Sequence, residues 1–99
     1  MATQGAAKEQ TKSRIREPKR YRVIMHNDDF TTMEFVVDIL VQIFHKNEVE
    51  AEQIMMNVHQ KGSAVVGVYP YDIAKTRILE AMNRAKAEGF PFRMTMEEV

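Results

Sequence analysis

The chain contains no cysteine. That excludes disulfides, thiol nucleophiles and thiolate metal sites, and it fits a reducing compartment. No apolar run is long enough to span a bilayer. No apolar stretch follows the charged N-terminus, so a secretory signal is not expected. A surplus of one charge is missing too. Fourteen basic and 14 acidic residues leave a formal net charge of zero, so global electrostatics selects no partner. The sequence has no glycine-rich phosphate loop, no Ser-centred elbow and no His-x-x-x-His pair. Asp28 and Asp29 are adjacent, but sequence neighbours point apart. An acid–base pair needs two carboxylates converging from different elements. Catalysis is therefore not expected. His26, His45 and His59 match no metal-site spacing, and neither a metal nor another cofactor is implied.

What is present is 99 residues of ordinary globular composition, 44% apolar and 28% charged. There is room for one domain and one core. The charge is uneven along the chain. Residues 1–20 hold six basic and two acidic side chains, a balance of +4, so the remainder carries −4. Residues 1–19 read as a disordered N-terminal extension. Ile15 is their one large apolar residue after Met1, too little to offset the entropy of ordering. Pro18 disfavours helix just before the domain begins. The extension is either a solubilising tail or an interaction arm. Its phosphate contacts alone would be weak and salt-sensitive, and the acidic body lacks an aromatic ribonucleoprotein pattern. Nucleic acid is not the expected partner.

Residues 20–99 read as one folded domain. Tyr21–His26 is rich in β-formers and partly alternating, which predicts a strand. Asn27-Asp28-Asp29 ends it in a turn. Thr31-Thr32-Met33-Glu34 fits a capping box with Thr31 as N-cap. The helix it opens runs to about Phe44, apolar on most sides, with Glu34, Asp38 and Gln42 as its solvent stripe. A second helix from about Glu48 to His59 or Gln60 ends at Gly62, a left-handed cap. Ser63–Tyr69 predicts a second strand, with a bulge or close approach at Gly67. Pro70 and Asp72 start a third helix, with Ile73, Ala74, Ile78, Ala81, Met82 and Ala85 inward. Gly89 and Pro91 close it, and Phe92–Glu97 alternates as a third strand. The order β-α-α-β-α-β predicts a small α+β sandwich, one three-stranded antiparallel sheet packed by three helices.

The junction of the first strand and first helix is the most informative stretch. Polar Asn27, Asp28 and Asp29 stand beside Met33 in the first helical turn. Met55 and His59 are four apart and share a helix face, with Val58 next to it. If the two helices cross, Met33, Val36, Met55 and Val58 bound a cavity whose mouth is Asn27, Asp28 and His59. Composition alone favours another reading, with the methionines as core filler.

Val23-Ile24-Met25-His26-Asn27-Asp28-Asp29-Phe30-Thr31-x-Met33-Glu34-Phe35-Val36, with Met55-x-x-Val58-His59-x-x-Gly62 and Gly67-Val68-Tyr69 downstream, resembles the ClpS family. These are bacterial adaptors that deliver N-end rule substrates to the Clp ATPase–protease. The resemblance covers about residues 18–99. It implies an α/β sandwich similar to the C-terminal domain of the ribosomal stalk protein, in a monomeric cytoplasmic protein. It implies that Asn27, Asp28 and His59 hold the α-amino group of a substrate. Met33, Val36, Met55, Val58 and Phe92 would line the pocket for an N-terminal Leu, Phe, Tyr or Trp, with Asp29 and Thr31 at the rim. Asp72 and Arg77, where relatives often have Glu and Lys, would contact the N-terminal domain of the ATPase, and the N-terminal extension would be engaged by it. Relatives usually carry proline where this chain has Thr32, which should loosen the first turn only modestly. The alternative is a structural or ribosome-associated interaction domain of similar fold. Dry contact of Met33 on Met55, with no cavity, would favour it.

Overall fold

In the computed structural model, which describes residues 19–99, the chain runs β1 (Arg20–His26), α1 (Met33–Gln42), α2 (Glu48–Lys61), β2 (Ser63–Pro70), α3 (Tyr71–Glu88) and β3 (Arg93–Glu98). This is the order expected from the sequence. Apart from Lys19, the expected N-terminal extension lies outside the described residues.

The sheet has the order β2-β1-β3, antiparallel throughout. The central strand explains its own position. Val23 and Met25 are fully buried on the helix side, while Arg22 and His26 take polar partners on the other side. Arg22 Nη1 donates to Glu97 Oε1 at 2.8 Å, and His26 Nε2 shares a 2.7 Å hydrogen bond with Thr95 Oγ1. Pairing with β2 slips between Val23 and Ile24, which face Gly67 and Val65. Val66 is therefore the extra residue of a bulge. Gly67 also has a close neighbour: a Cβ there would lie 2.7 Å from the Tyr69 hydroxyl. Both features suggested for Gly67 by the sequence occur.

α3 packs across all three strands, and α1 and α2 pack on each other. One core cluster joins them. In α3, Ala74, Ile78, Ala81 and Ala85 are buried, but Ile73 is exposed, contrary to expectation. It lies one position off the buried stripe. In α1 the exposed stripe is Glu34, Asp38 and Gln42, as expected. The helix ends at Gln42 rather than near Phe44, because the chain turns through Ile43 to His45, whose φ is +58°. Ile43 and Phe44 stay buried outside the helix. α2 is capped at its start by Asn47, whose Oδ1 accepts the Glu50 N–H at 2.8 Å, and at its end by Gly62 with φ +91°.

The cap of α1 differs from the sequence reading. Thr32, not Thr31, is the N-cap, and its hydroxyl accepts the Phe35 N–H at 3.1 Å. Glu34 then sits one position too early for a capping box. The reason is local: the Thr31 hydroxyl and amide are both engaged by Asp28. Thr32 thus supplies the hydroxyl cap at the entry to α1.

Candidate functional site

The site is built at the end of β1. His26 pairs with Ser63 in the sheet, and the next amide, Asn27 N–H, donates to the Gly62 carbonyl at 2.9 Å. That bond ties the end of β1 to the end of α2. Asn27 is thereby placed beside His59, one turn back from Gly62 on α2.

Asp28 organises the loop into α1. Its Oδ1 accepts the amides of Phe30 at 2.8 Å and Thr31 at 2.7 Å, and its Oδ2 accepts the Thr31 hydroxyl at 2.7 Å. Burial, the largest single influence, pushes this carboxyl up. The bonds from Thr31 and Phe30 together outweigh it and hold the group below its ordinary value of 3.8. Asp28 is thus a fixed anion at neutral pH. A carboxylate has about four acceptor positions. Three are occupied by the loop, and one, on Oδ2, is left for a further donor. His26, next to the site, is held below its ordinary value of 6.5 by burial and then by the Arg93 charge.

Between the loop, α1 and α2 lies a cleft of about 250 Å³. Asn27, Asp28, Asp29, Thr31, Met33, Val36, Met55, Val58 and His59 line it. Val36 and Val58 are buried and form the floor, Met55 is half-buried, and Met33, Asn27 and His59 are exposed at the mouth. The cleft is too small for a drug-sized ligand and suits a single side chain. Acceptors at the mouth and apolar side chains inside suit a group with a cationic end and an apolar body.

Every residue lining this cleft was singled out in the sequence. Phe92 was also singled out, but it does not line the cleft. It is buried in the core, with its ring 5.7 Å from that of Phe35 in a T-shaped contact. Asp72 and Arg77 lie elsewhere. Asp72 is exposed in the first turn of α3, and the Arg77 guanidinium lies 5.1 Å above the Tyr69 ring. Among the described residues, no group of three or more His, Asp or Glu is close enough to hold a metal ion. No described helix is long and apolar enough to cross a membrane.

The fold and the cleft define a small α+β binding domain whose polar mouth opens at a strand–helix junction. The chain belongs to the ClpS family: the family model for the ATP-dependent Clp protease adaptor protein ClpS matches residues 16–95. This is a family of protease adaptors rather than of enzymes. The ATP-dependent Clp protease adapter protein ClpS of Oleidesulfovibrio alaskensis is 51% identical over 85 residues, covering 86% of this chain and 82% of that one. Its counterpart in Clostridium acetobutylicum is 50% identical over 88 residues, covering 89% and 87%. Among solved structures, Agrobacterium tumefaciens ClpS2 bound to L-phenylalaninamide matches with a TM-score of 0.81 and 42% identity, over 84% of this chain and 100% of that one.

Proposed function

We propose that this adaptor captures N-end rule substrates by their first residue, Leu, Phe, Tyr or Trp, and delivers them to the Clp ATPase–protease. The observation that carries this reading is the meeting of Asn27, Asp28 and His59 at the mouth of one cleft with Met33 beside them and Val36, Met55 and Val58 inside it. An α-amino group titrates at about pH 8, so at neutral pH it is a cation with three donors. The Asn27 side-chain oxygen, the free Asp28 position and a His59 ring nitrogen are three acceptors for it. An internal residue or an acetylated end has no such cation, and a neutral group at the mouth would leave the Asp28 charge without its partner. L-phenylalaninamide, bound by the Agrobacterium relative, carries a free amine, an apolar side chain and an amide in place of a carboxylate. Those are the parts of a first residue in a polypeptide.

Met33 acts as the gate. A β-branched first residue is widest at Cβ, where a side chain at the mouth presses. Asp29 and Thr31 form the rim. The alternative of a structural domain without a pocket called for methionines in dry contact, and open space lies between the cleft walls instead. Delivery uses a second surface, in which Asp72 and Arg77 contact the N-terminal domain of the ATPase and residues 1–19 are engaged by it. The protein works as a monomer in the cytoplasm. The test is degradation of a reporter with N-terminal Leu by the reconstituted Clp ATPase–protease. The adaptor should accelerate it several-fold. Asp72→Ala with Arg77→Ala should abolish the acceleration while leaving peptide binding intact. Acceleration that survives both changes would remove this surface from delivery, and no acceleration by the native adaptor would refute the function.

A further inference from the structure

Every sulfur atom of this chain is a thioether, because it has eight methionines and no cysteine. Their surroundings differ. Met25 is fully buried and Met94 nearly so, both in the core, and Met82 and Met96 pack against it. Met33 is the most exposed of the described methionines, at 45%. It also borders two hollows. One is the cleft, and the other, of about 390 Å³, lies between α1 and α2 with Val37 and Glu52 in its lining. Solvent therefore reaches the Met33 side chain from both. Met55 lines the same two hollows but is half-buried. Met56 is 38% exposed and lines a separate hollow with Val49 and Gln53, away from the cleft.

We propose that Met33 is a reversible oxidation site whose sulfoxide closes the cleft to substrates with an apolar first residue. The inference rests on the cleft being the site of the first residue. The co-reactant is hydrogen peroxide. A sulfur lone pair takes one peroxide oxygen, so an S–O bond forms and the O–O bond breaks. The hydroxide released takes the proton left on the transferred oxygen, giving sulfoxide and water. The thioether loses two electrons and the peroxide gains them. An apolar, adaptable side chain thereby becomes a polar, chiral one. Without a substrate, the new oxygen stays in water at the mouth. An apolar first side chain entering beside it takes that water away, and Val36, Met55 and Val58 behind it offer no donor in exchange. Asp28 keeps its bonds to Phe30 and Thr31, so the loss falls on the side-chain half of recognition. Methionine sulfoxide reductases reverse the change, one enzyme for each epimer. Binding and oxidation oppose each other: a seated substrate covers Met33, and the sulfoxide disfavours the substrate.

The test treats the full chain with graded hydrogen peroxide, removes the excess, maps each methionine by mass spectrometry and titrates a labelled Leu-first peptide by anisotropy. Met33 should oxidise several-fold faster than Met25 and Met94. Saturating peptide should slow Met33 several-fold and leave Met56 unaffected. Affinity should fall on the order of tenfold, the scale of one polar group buried without a partner, in step with the oxidised fraction of Met33. A mixture of both reductases should restore it. Met33→Leu has an affinity of its own, and peroxide should not move it; Met56→Leu should lose affinity as the native chain does. Full affinity with Met33 oxidised, no preferential oxidation of Met33, or a loss that persists in Met33→Leu would each overturn the proposal, the last by placing the effect on another methionine such as Met55. An acetylated Leu peptide on the untreated protein separates the two levels. If it binds as well as the free peptide, the first-residue reading itself fails. A dependence on the free end that oxidation of Met33 leaves unchanged overturns the oxidation site alone.

Discussion

Two helix starts in this domain look alike in sequence and differ in kind. α1 and α3 each follow a strand and carry an acid in the first turn, Glu34 and Asp72. The loop into α1 is held by three hydrogen bonds to Asp28 and a Thr32 cap, and it forms one wall of a cleft. The start of α3 has Pro70 at its cap with no side-chain hydrogen bond. Tyr71 and Ile73 are exposed there, Lys75 sits 5.8 Å over the Tyr71 ring, and Arg77 lies over Tyr69. The difference teaches what each surface suits. Fixed acceptors around a small hollow discriminate one cation by geometry. An exposed mixture of aromatic and charged side chains suits a broad protein contact, where such residues are enriched.

The largest separation between the two regions is expected from their acids. Asp28→Ala removes the anion at the mouth and leaves the Phe30 and Thr31 amides without their acceptor. Peptide affinity should fall on the order of a hundredfold, the scale of charge-assisted hydrogen bonds, and fall alike for Leu, Phe, Tyr and Trp peptides. Asp72→Ala should leave peptide affinity unchanged. Anisotropy titrations of both variants check this, and similar losses in both would erase the contrast. A smaller effect is expected at the gate. Met33→Ala should bring peptides beginning with Ile or Val to within about tenfold of Leu, because one methylene-sized obstruction is worth about that much discrimination. An unchanged ranking would remove Met33 from the gate.

Acid should weaken the loop more than the start of α3. The Asp28 carboxyl titrates lower in the folded chain than in the unfolded one. Its contribution to stability is therefore complete above about 3.8 and is lost as the pH falls through its folded value. His26 acts over a higher range. Its folded value lies below 6.5, so the unfolded chain binds more protons there, and its contribution is complete above 6.5 and lost on acidification. Urea unfolding of the native protein and Asp28→Asn across pH checks the first effect: their difference should be flat above the carboxylate range and shrink below it. The smallest change concerns the cap. Thr32→Ala should cost about 1 kcal/mol of stability, and Thr32→Pro less, since proline suits the entry to a helix. Equal costs would mean that proline offsets none of the loss, and no cost for Thr32→Ala would mean that the hydroxyl bond to Phe35 contributes nothing.

Much of this was legible in the sequence for identifiable reasons. Period-two and period-3.6 patterns placed all six elements, and Gly62 and Gly89 marked helix ends because only glycine takes a positive φ freely. The four-residue spacing of Met55 and His59 aimed them at one cleft. The cap of α1 was misplaced by one residue because Thr31 and Thr32 offer the same hydroxyl, and only the turn at Asp28 decides which is free. The phase of α3 is hard to read at Ile73 because three of the four buried residues of its stripe are alanines, with Ile78 the one large side chain. Phe92 was assigned to the pocket by resemblance, and its capture by Phe35 depends on tertiary contact that no local pattern encodes. The cleft volume was likewise invisible, since spacing aims side chains at a common point without fixing the distance between two helices. Nor could spacing reveal that Asp28 already accepts three bonds from its own loop.

The central claim is that the cleft recognises a free α-amino group. One measurement tests it most directly: anisotropy titration of a labelled peptide with a free N-terminal Leu against its acetylated twin. The free peptide should bind at least a hundredfold more tightly, the scale at which an anion such as Asp28 loses its cationic partner. Equal affinity for the two would contradict amine recognition at Asn27, Asp28 and His59.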